Sequence, residues 1–136
     1  MAKIVLEFAI YTYQIDFLRH VSNIVYLQWM EAGRAKLLEL AGIPIHMAVE
    51  NGIAPVLVET QICYKRPLVM GESIRLEMWI SELRSASAWL EFRIYNDRGD
   101  LAATAKQRGM FVDAETMRPK RMALDLAAHF APFVGE

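Results

Sequence analysis

The chain of 136 residues has one cysteine, Cys63, so no internal disulfide can form. A single cysteine also excludes a cysteine-cluster metal site. No spacing of histidine, cysteine and carboxylate residues predicts any other metal site. Because Cys63 lies in an apolar stretch, we expect its thiol to be buried.

The sequence also has no long hydrophobic run and no large excess of one charge. No stretch approaches the roughly 20 apolar residues of a membrane span, and no secretory signal is recognisable before Glu7. The net charge of −1 is not that of a general nucleic-acid-binding protein, which needs a basic excess. We therefore expect a cytoplasmic protein with no nucleic-acid partner and no membrane span.

Hydrophobic residues, in contrast, are abundant. They make up 54% of the chain, compared with roughly 45–50% in an average soluble protein. The excess can fill a core, line a tunnel for an apolar ligand or form a subunit interface. With no repeat, low-complexity segment or linker, residues 1–136 are expected to form one domain.

A long helix is predicted over residues 23–41, where apolar side chains recur at intervals of three and four. Ser22 or Asn23 can cap its start, and Gly42 is a typical residue at its end. Gly33 lies inside this helix, where glycine costs about 1 kcal/mol relative to alanine. A close approach of the helix to a sheet would explain why a glycine stands there.

Five strands and a short second helix are also predicted. The strands are expected over residues 3–15, 54–66, 73–84, 87–96 and 101–113, from their β-branched residues and apolar alternation. The second helix is expected around residues 122–130. Because the last four strands follow one another through short connections, we expect consecutive strands to pair antiparallel. The predicted fold class is α+β, with a five-stranded antiparallel sheet packed on one long helix.

Asp16 is the first candidate catalytic residue, because it stands at the end of the first predicted strand, shortly before the long helix. A carboxylate there can serve as nucleophile or general base toward an acyl group polarised by the free N–H groups of the helix start. By residue type alone, however, the favoured interpretation of Asp16 is a helix cap or turn residue. His20 can exchange protons near neutral pH or hold neighbouring groups in place.

Other charged residues allow more than one interpretation. Glu59 either points into a site or lies on the exposed face of its strand. Glu31 and Arg34 are one helical turn apart and are expected to form a local ion pair. Basic residues at strand ends can bind the phosphates of a small ligand, and they include Lys65, Arg66, Arg84, Arg118, Lys120 and Arg121.

Two segments of the chain form a recognisable pattern. The first is Tyr13-x-x-Asp16-x-x-x-His20-Val21-x-Asn23-x-x-Tyr26, continuing as Glu31-Ala32-x-Arg34. The second is Tyr64-Lys65-Arg66-Pro67-Leu68-Val69-Met70-Gly71-Glu72. In these segments the chain resembles the hotdog-fold thioesterases of the 4-hydroxybenzoyl-CoA thioesterase type, and among them the long-chain acyl-CoA thioesterase branch, where the second segment reads Tyr-x-x-Pro-x-x-x-Gly-Asp. The resemblance implies a hotdog fold, a sheet wrapped around a central helix.

The resemblance also implies an acyl-CoA thioesterase. Asp16 would attack the thioester carbonyl or activate water, and the backbone N–H of Asn23 would polarise the carbonyl. Candidate substrate contacts are His20, Tyr26 and Glu59 around the acyl thioester and Arg84, Arg118 and Lys120 around the phosphates of coenzyme A. No separate cofactor is implied, since coenzyme A is part of the substrate. The family further implies a homodimer or homotetramer with the substrate bound between two subunits.

Three alternatives stay open at this point. One is a thioesterase acting on acyl-acyl-carrier-protein, and another is a hydratase or dehydratase in which His20 and Asp16 transfer protons. The third is a non-catalytic hotdog protein that only binds acyl thioesters. Arg19 replaces the family's usual small or polar residue and Ser22 replaces an asparagine, so the preferred acyl group is open.

Overall fold

The structure is a computed structural model that describes residues 1–135. Five strands form one antiparallel sheet in the order β1-β3-β4-β5-β2. These strands are β1 (Ile4–Ala9), β2 (Ile53–Tyr64), β3 (Ser73–Leu83), β4 (Ser87–Asn96) and β5 (Leu101–Asp113). The helices are α1 (Asn23–Leu40), the short α2 (Ile45–Ala48) and α3 (Leu124–Phe130). The predicted α+β fold class is confirmed.

The first strand is much shorter than predicted. β1 ends at Ala9, and the chain then makes a 3₁₀ turn over Thr12–Gln14. The side-chain oxygen of Gln14 accepts a hydrogen bond from the backbone N–H of Tyr11 at 2.8 Å, which closes this turn locally. The aromatic residues that indicated a strand are largely exposed instead, and Tyr13 is 81% exposed.

The expectation that consecutive strands pair is wrong for β2 and β3. β2 pairs with β5, from Ile53 opposite Asp113 to Tyr64 opposite Ala103. β3 lies between β1 and β4. Residues 65–72 carry the chain across three strand spacings of about 4.8 Å each instead of making a tight turn.

This topology leaves β2 at one edge of the sheet. The burial predicted for Cys63 is therefore wrong, because its thiol is exposed on that edge strand. Most residues of the second half of β2 are likewise exposed. The apolar strand β2 is thus only partly buried within one chain. A second molecule that packs against this edge could bury the rest.

The core lies between α1 and the inner face of the sheet. Gly33 brings the two together, since a Cβ atom at this position would lie 2.7 Å from the Sδ atom of Met78. It would also lie 3.4 Å from side-chain atoms of Leu76 and Phe92. The close approach expected from the glycine is confirmed.

Two further properties concern ligands and membranes. Within residues 1–135 no group of three or more histidine, cysteine, aspartate or glutamate side chains is arranged to hold a metal ion. None of the helices described has the length and apolar character needed to span a bilayer.

Candidate active site

Asp16 lies in a tight loop that its own backbone closes. Ile15 pairs with Val21 across the loop, and the N–H of Asp16 donates to the carbonyl of His20 at 2.8 Å. The Oδ1 atom of Asp16 accepts hydrogen bonds from the backbone N–H groups of Leu18 at 2.9 Å and His20 at 3.3 Å. Within residues 1–135, no group donates to Oδ2. The loop thus holds one carboxylate oxygen of Asp16, and the other has no hydrogen-bond donor among the described residues.

Helix α1 begins directly after this loop, and its first N–H groups are free. Ser22 occupies the N-cap position, but its side chain makes no capping hydrogen bond. Among the residues described, none accepts a hydrogen bond from the backbone N–H of Asn23 or Ile24. The helix start carries a partial positive charge, so an oxyanion could be stabilised here, close in sequence to Asp16.

The loop is braced by the segment between β2 and β3. His20 pairs with Val69, and the N–H of Val21 donates to the carbonyl of Leu68 at 2.8 Å. The Oε1 atom of Glu72 in turn accepts from the N–H of Val69 at 3.0 Å. The second segment of the family resemblance therefore supports the first, although the two are far apart in sequence.

Tyr26 lies near the start of α1, and its side chain is buried. Its ring makes edge contacts with two other rings, that of Tyr64 at a centroid distance of 5.0 Å and that of Trp29 at 5.5 Å. Burial, reinforced by Tyr64 and Glu72, raises the pKa of Tyr26 to about 12. The phenol of Tyr26 therefore stays protonated at neutral pH and cannot act as a base there.

A cavity of about 310 Å³ lies at the other half of α1. It is bounded by α1, the start of β2, the turn between β3 and β4, and α3. Its apolar walls include Leu37, Leu38, Val56, Leu90, Phe111 and Phe130. Only Glu31, Arg34 and Ser87 among the lining residues have polar side chains. The volume is at the lower end of the roughly 300–1,000 Å³ typical of ligand pockets.

The ion pair predicted between Glu31 and Arg34 is not formed. Arg34 instead donates from Nη1 to the Oε1 atom of Gln107 on β5, at 2.7 Å. Gln107 is fully buried, and its Nε2 donates to the hydroxyl of Thr60 at 3.2 Å. Burial lowers the pKa of Arg34, and the negative charge of Glu31 works against that shift.

Sequence reasoning missed this polar connection between α1 and the sheet. A signal was present, because Gln107 interrupts a series of inward-facing positions occupied by small apolar residues, Ala103 and Ala105. A glutamine at such a position needs partners for its amide. Its partners, however, come from two other elements of the fold.

The structure places the predicted phosphate contacts at the cavity end of the sheet. Arg84 lies in the turn after β3, where it forms an ion pair with Glu82 at 2.6 Å. The chain after β5 returns to this turn, since the N–H of Met122 donates to the carbonyl of Ser85 at 2.7 Å. Arg118 and Lys120 lie in this returning segment, so Arg84, Arg118 and Lys120 lie at the same end of the sheet.

Glu59 is not brought into contact with Asp16. Its neighbour Thr60 reaches the inward-facing Gln107, so Glu59 lies on the opposite, outer face of the sheet. There its carboxylate is 3.9 Å from the guanidinium of Arg108 and accepts a hydrogen bond from Gln61. Of the two interpretations of Glu59, the structure supports the one in which it lies on the exposed face of its strand.

Comparisons with known proteins identify the family of the chain. The family described as "Thioesterase-like superfamily" matches residues 10–130. "Putative acyl-CoA thioesterase YneP" of Bacillus subtilis is 32% identical over 94 residues, covering 69% of this chain and 68% of that protein. "Long-chain acyl-CoA thioesterase FadM" of Escherichia coli is 30% identical over 114 residues, covering 83% of this chain and 84% of that protein.

The solved structures give the same fold. The crystal structure of DHNA-CoA thioesterase from Staphylococcus aureus superposes with a TM-score of 0.89 at 18% identity, covering 97% of this chain and 91% of that one. The family expected from the two sequence segments is confirmed, as is the hotdog fold. The chain belongs to the thioesterase-like superfamily.

Proposed function

We propose that the protein hydrolyses an acyl-CoA thioester to the free acid and coenzyme A, with Asp16 as nucleophile or general base. The observation that supports this most directly is the loop, which fixes one oxygen of Asp16 and leaves the other free. The uncapped start of α1 follows within the same segment. The activities named for YneP and FadM support the substrate class.

Two chemical routes are compatible with this arrangement. In the first, Asp16 attacks the carbonyl, a mixed anhydride forms as the thiolate leaves, and water then hydrolyses the anhydride. In the second, Asp16 takes a proton from water as the water attacks, and the thiolate leaves from the tetrahedral intermediate. In both routes the N–H of Asn23 donates to the developing oxyanion.

The complete site, in our proposal, is formed by two copies of the chain. β2 is a 12-residue edge strand, and its Leu57 and Val58 are each 43% exposed. These apolar residues and the unpaired backbone could be covered by antiparallel pairing with β2 of a second copy. A homodimer, alone or within a homotetramer, would result.

Such pairing would join the two ends of α1 across the dimer. Within one chain, the start of α1 lies near the end of β2, where Tyr26 contacts Tyr64. The cavity lies near the start of β2, at Pro55 and Val56. Because antiparallel strands run in opposite directions, Asp16 of one subunit would face the cavity of its partner.

The basic residues fit the same arrangement. Arg84, Arg118 and Lys120 lie at the cavity end of each chain, which the dimer would place beside the Asp16 loop of the other subunit. The acyl tail would enter the partner's cavity, and these side chains could contact the phosphates of coenzyme A. His20 and Tyr26 would border the thioester itself.

The first test replaces Asp16 by asparagine. The new amide would keep an oxygen able to accept the hydrogen bonds of Leu18 and His20, so the variant should fold. We expect Asp16→Asn to lower kcat for acyl-CoA hydrolysis by at least about a hundredfold. The matched control is Asp97→Asn in the exposed turn between β4 and β5, which should retain its turnover. Near-normal turnover of Asp16→Asn in a folded protein would contradict the proposal.

A second test asks whether the site is shared between subunits. Asp16→Asn lacks the acid, and Ala35→Trp fills the cavity that Ala35 lines. If each site combines Asp16 of one chain with the cavity of the other, mixing the two unfolded variants and refolding them together restores one intact site per heterodimer. Statistical mixing should then recover about a quarter of wild-type activity. No recovery, with heterodimers demonstrated by mass, would place each site within one subunit.

A third test asks whether the protein prefers an acyl group carried by coenzyme A or by acyl carrier protein. The same acyl group is presented on coenzyme A and on acyl carrier protein, and kcat/KM is compared. The basic residues near the cavity lead us to expect coenzyme A to be preferred. Arg84→Ala should then raise KM for acyl-CoA, while hydrolysis of the corresponding acyl-pantetheine, which lacks the nucleotide, should be unaffected.

A further inference from the structure

The cavity beside α1 is apolar except at one place in its wall. Arg34 projects into this wall from α1, and its guanidinium has five N–H donors in a fixed fork. One of them bonds to Gln107 at 2.7 Å. No carboxylate lies within 4.0 Å of this guanidinium in residues 1–135. Arg34 is thus a half-buried cation whose other donors find no acceptor among the described residues.

The position of Arg34 is set by a rigid partner. Gln107 is fully buried and uses both ends of its amide within the protein, one on Arg34 and one on the hydroxyl of Thr60. The guanidinium is therefore anchored at Nη1 before any ligand binds. A preorganised donor in a pocket gains more from a matching acceptor than a mobile donor would.

The positive charge of Arg34 in the cavity wall is partly balanced by a negative charge nearby. Glu31 is a lining residue of the same cavity, and its negative charge acts electrostatically on Arg34. An anionic ligand group at Arg34 would also meet Glu31. A neutral oxygen, such as a hydroxyl or keto oxygen, would accept a charge-assisted hydrogen bond without that repulsion.

We infer that this cavity selects acyl chains that carry a neutral oxygen, placed to accept a hydrogen bond from Arg34. The inference rests on the proposed thioesterase function and refines its substrate class. A plain alkyl chain would displace water from the donors of Arg34 that face the cavity and would offer them no acceptor, which lowers its affinity. A hydroxyacyl or oxoacyl chain would supply the missing acceptor.

The experiment compares chains that differ only in one oxygen. Wild-type protein is assayed with decanoyl-CoA and with hydroxydecanoyl-CoA derivatives bearing the hydroxyl near the thioester, in mid-chain or at the far end. We expect kcat/KM to be about tenfold higher for one hydroxyl position than for the plain chain. A derivative with a terminal carboxylate should be hydrolysed more slowly than the best hydroxyl derivative.

The variant Arg34→Met removes the donors while keeping an unbranched side chain. We expect the ratio of kcat/KM between the best hydroxyl derivative and decanoyl-CoA to fall to about one. The control Lys36→Met removes a positive charge from the same helix, on a residue that does not line the cavity, and should keep the wild-type ratio. Thermal unfolding of both variants verifies that they fold.

The possible outcomes distinguish a failure of the inference about Arg34 from a failure of the proposed thioesterase function. If the wild-type protein hydrolyses the plain and hydroxylated chains equally, or prefers the plain chain throughout, the inference is overturned even if Arg34→Met does not fold. A preference for the terminal carboxylate would overturn the choice of a neutral oxygen. If no acyl-CoA is hydrolysed at all, the failure lies in the proposed thioesterase function itself.

Discussion

The two halves of α1 differ in what they offer a ligand. The first turn offers free backbone N–H groups shortly after Asp16 in the sequence, whereas the second half borders an apolar cavity with Arg34 in its wall. Asn23 and Arg34 are eleven residues apart, which is about 16 Å along a helix. In the proposed function, the first half of α1 serves the reaction chemistry and the second half serves acyl selection. In the proposed dimer the two halves that meet at one site come from different subunits, so each half can be changed without the other.

The largest effect is expected from closing the cavity alone. Ala35→Trp should lower kcat/KM for a long-chain acyl-CoA by about a hundredfold and for acetyl-CoA by less than about threefold. Excluding three buried methylenes at about 0.8 kcal/mol each accounts for a loss of this size. The control Gln28→Trp, on the exposed side of α1, should affect neither substrate. Equal losses for long and short chains would mean that the two halves of α1 are not independent.

A second prediction concerns the contact that holds both halves of α1 to the sheet. Gly33→Val should destabilise the protein by about 2 kcal/mol, because the new side chain would overlap Met78 and press on Leu76 and Phe92. Chemical unfolding with a fluorescence readout measures the loss. Gln28→Val introduces the same β-branched residue on the exposed side and should cost well under 1 kcal/mol. Comparable losses in the two variants would contradict the packing argument.

A third prediction compares strained residues at the two ends of the molecule. Arg19 in the loop that holds Asp16 has a φ of 66°, and Met117 in the turn after β5 has a φ of 61°. Left-handed backbone costs a residue with a side chain about 1 kcal/mol. We therefore expect Arg19→Gly and Met117→Gly each to raise the free energy of unfolding, by at most about 1 kcal/mol.

The control for this comparison is Arg121→Gly, since Arg121 is exposed and does not have a positive φ. That variant should gain nothing or lose stability slightly, because glycine increases the entropy of the unfolded chain. A gain at Arg121 equal to that at Arg19 would show that backbone strain is not the cause. Arg19→Gly would also test whether the loop retains an unfavourable residue for the sake of its positive charge.

The smallest effect at neutral pH concerns Tyr26 at the start of α1. Its pKa is raised to about 12, so the folded protein keeps this phenol neutral while the unfolded chain ionises it near its ordinary value of 10.0. Stability should consequently fall as the pH rises from about 10 to 12. Unfolding experiments across this range should show a shallower decline for Tyr26→Phe. An identical decline in the wild-type protein and in Tyr26→Phe would contradict the raised pKa of Tyr26.

Local patterns were enough to predict most elements of the fold. The bounds of β4 and β5 agree with prediction to the residue, because each strand has a regular pattern and ends at a turn. The position of β2 could not be predicted, since it depends on the path of residues 65–72 over the sheet. The exposure of Cys63 followed from that path and not from the sequence around it.

In the candidate site, too, one part could be predicted from local sequence and another part could not. Asp16 and Asn23 lie seven residues apart, so a loop followed directly by a helix start could be predicted from this one segment. The contact between Arg34 and Gln107 joins residues separated by 73 positions and depends on how β5 packs under α1. The helical spacing of Glu31 and Arg34 therefore predicted the wrong partner for Arg34.

The pairing of β2 with β5 also has a consequence for synthesis of the chain. β2 is complete at Tyr64, whereas β5 starts only at Leu101, so the ribosome must add residues 65–100 before β2 can meet its neighbour. During that interval an apolar strand with two open edges emerges from the ribosome. Such a strand is prone to associate wrongly, and a late, long-range pairing slows folding. Chaperones thus have an interval in which to bind this chain before its sheet can close.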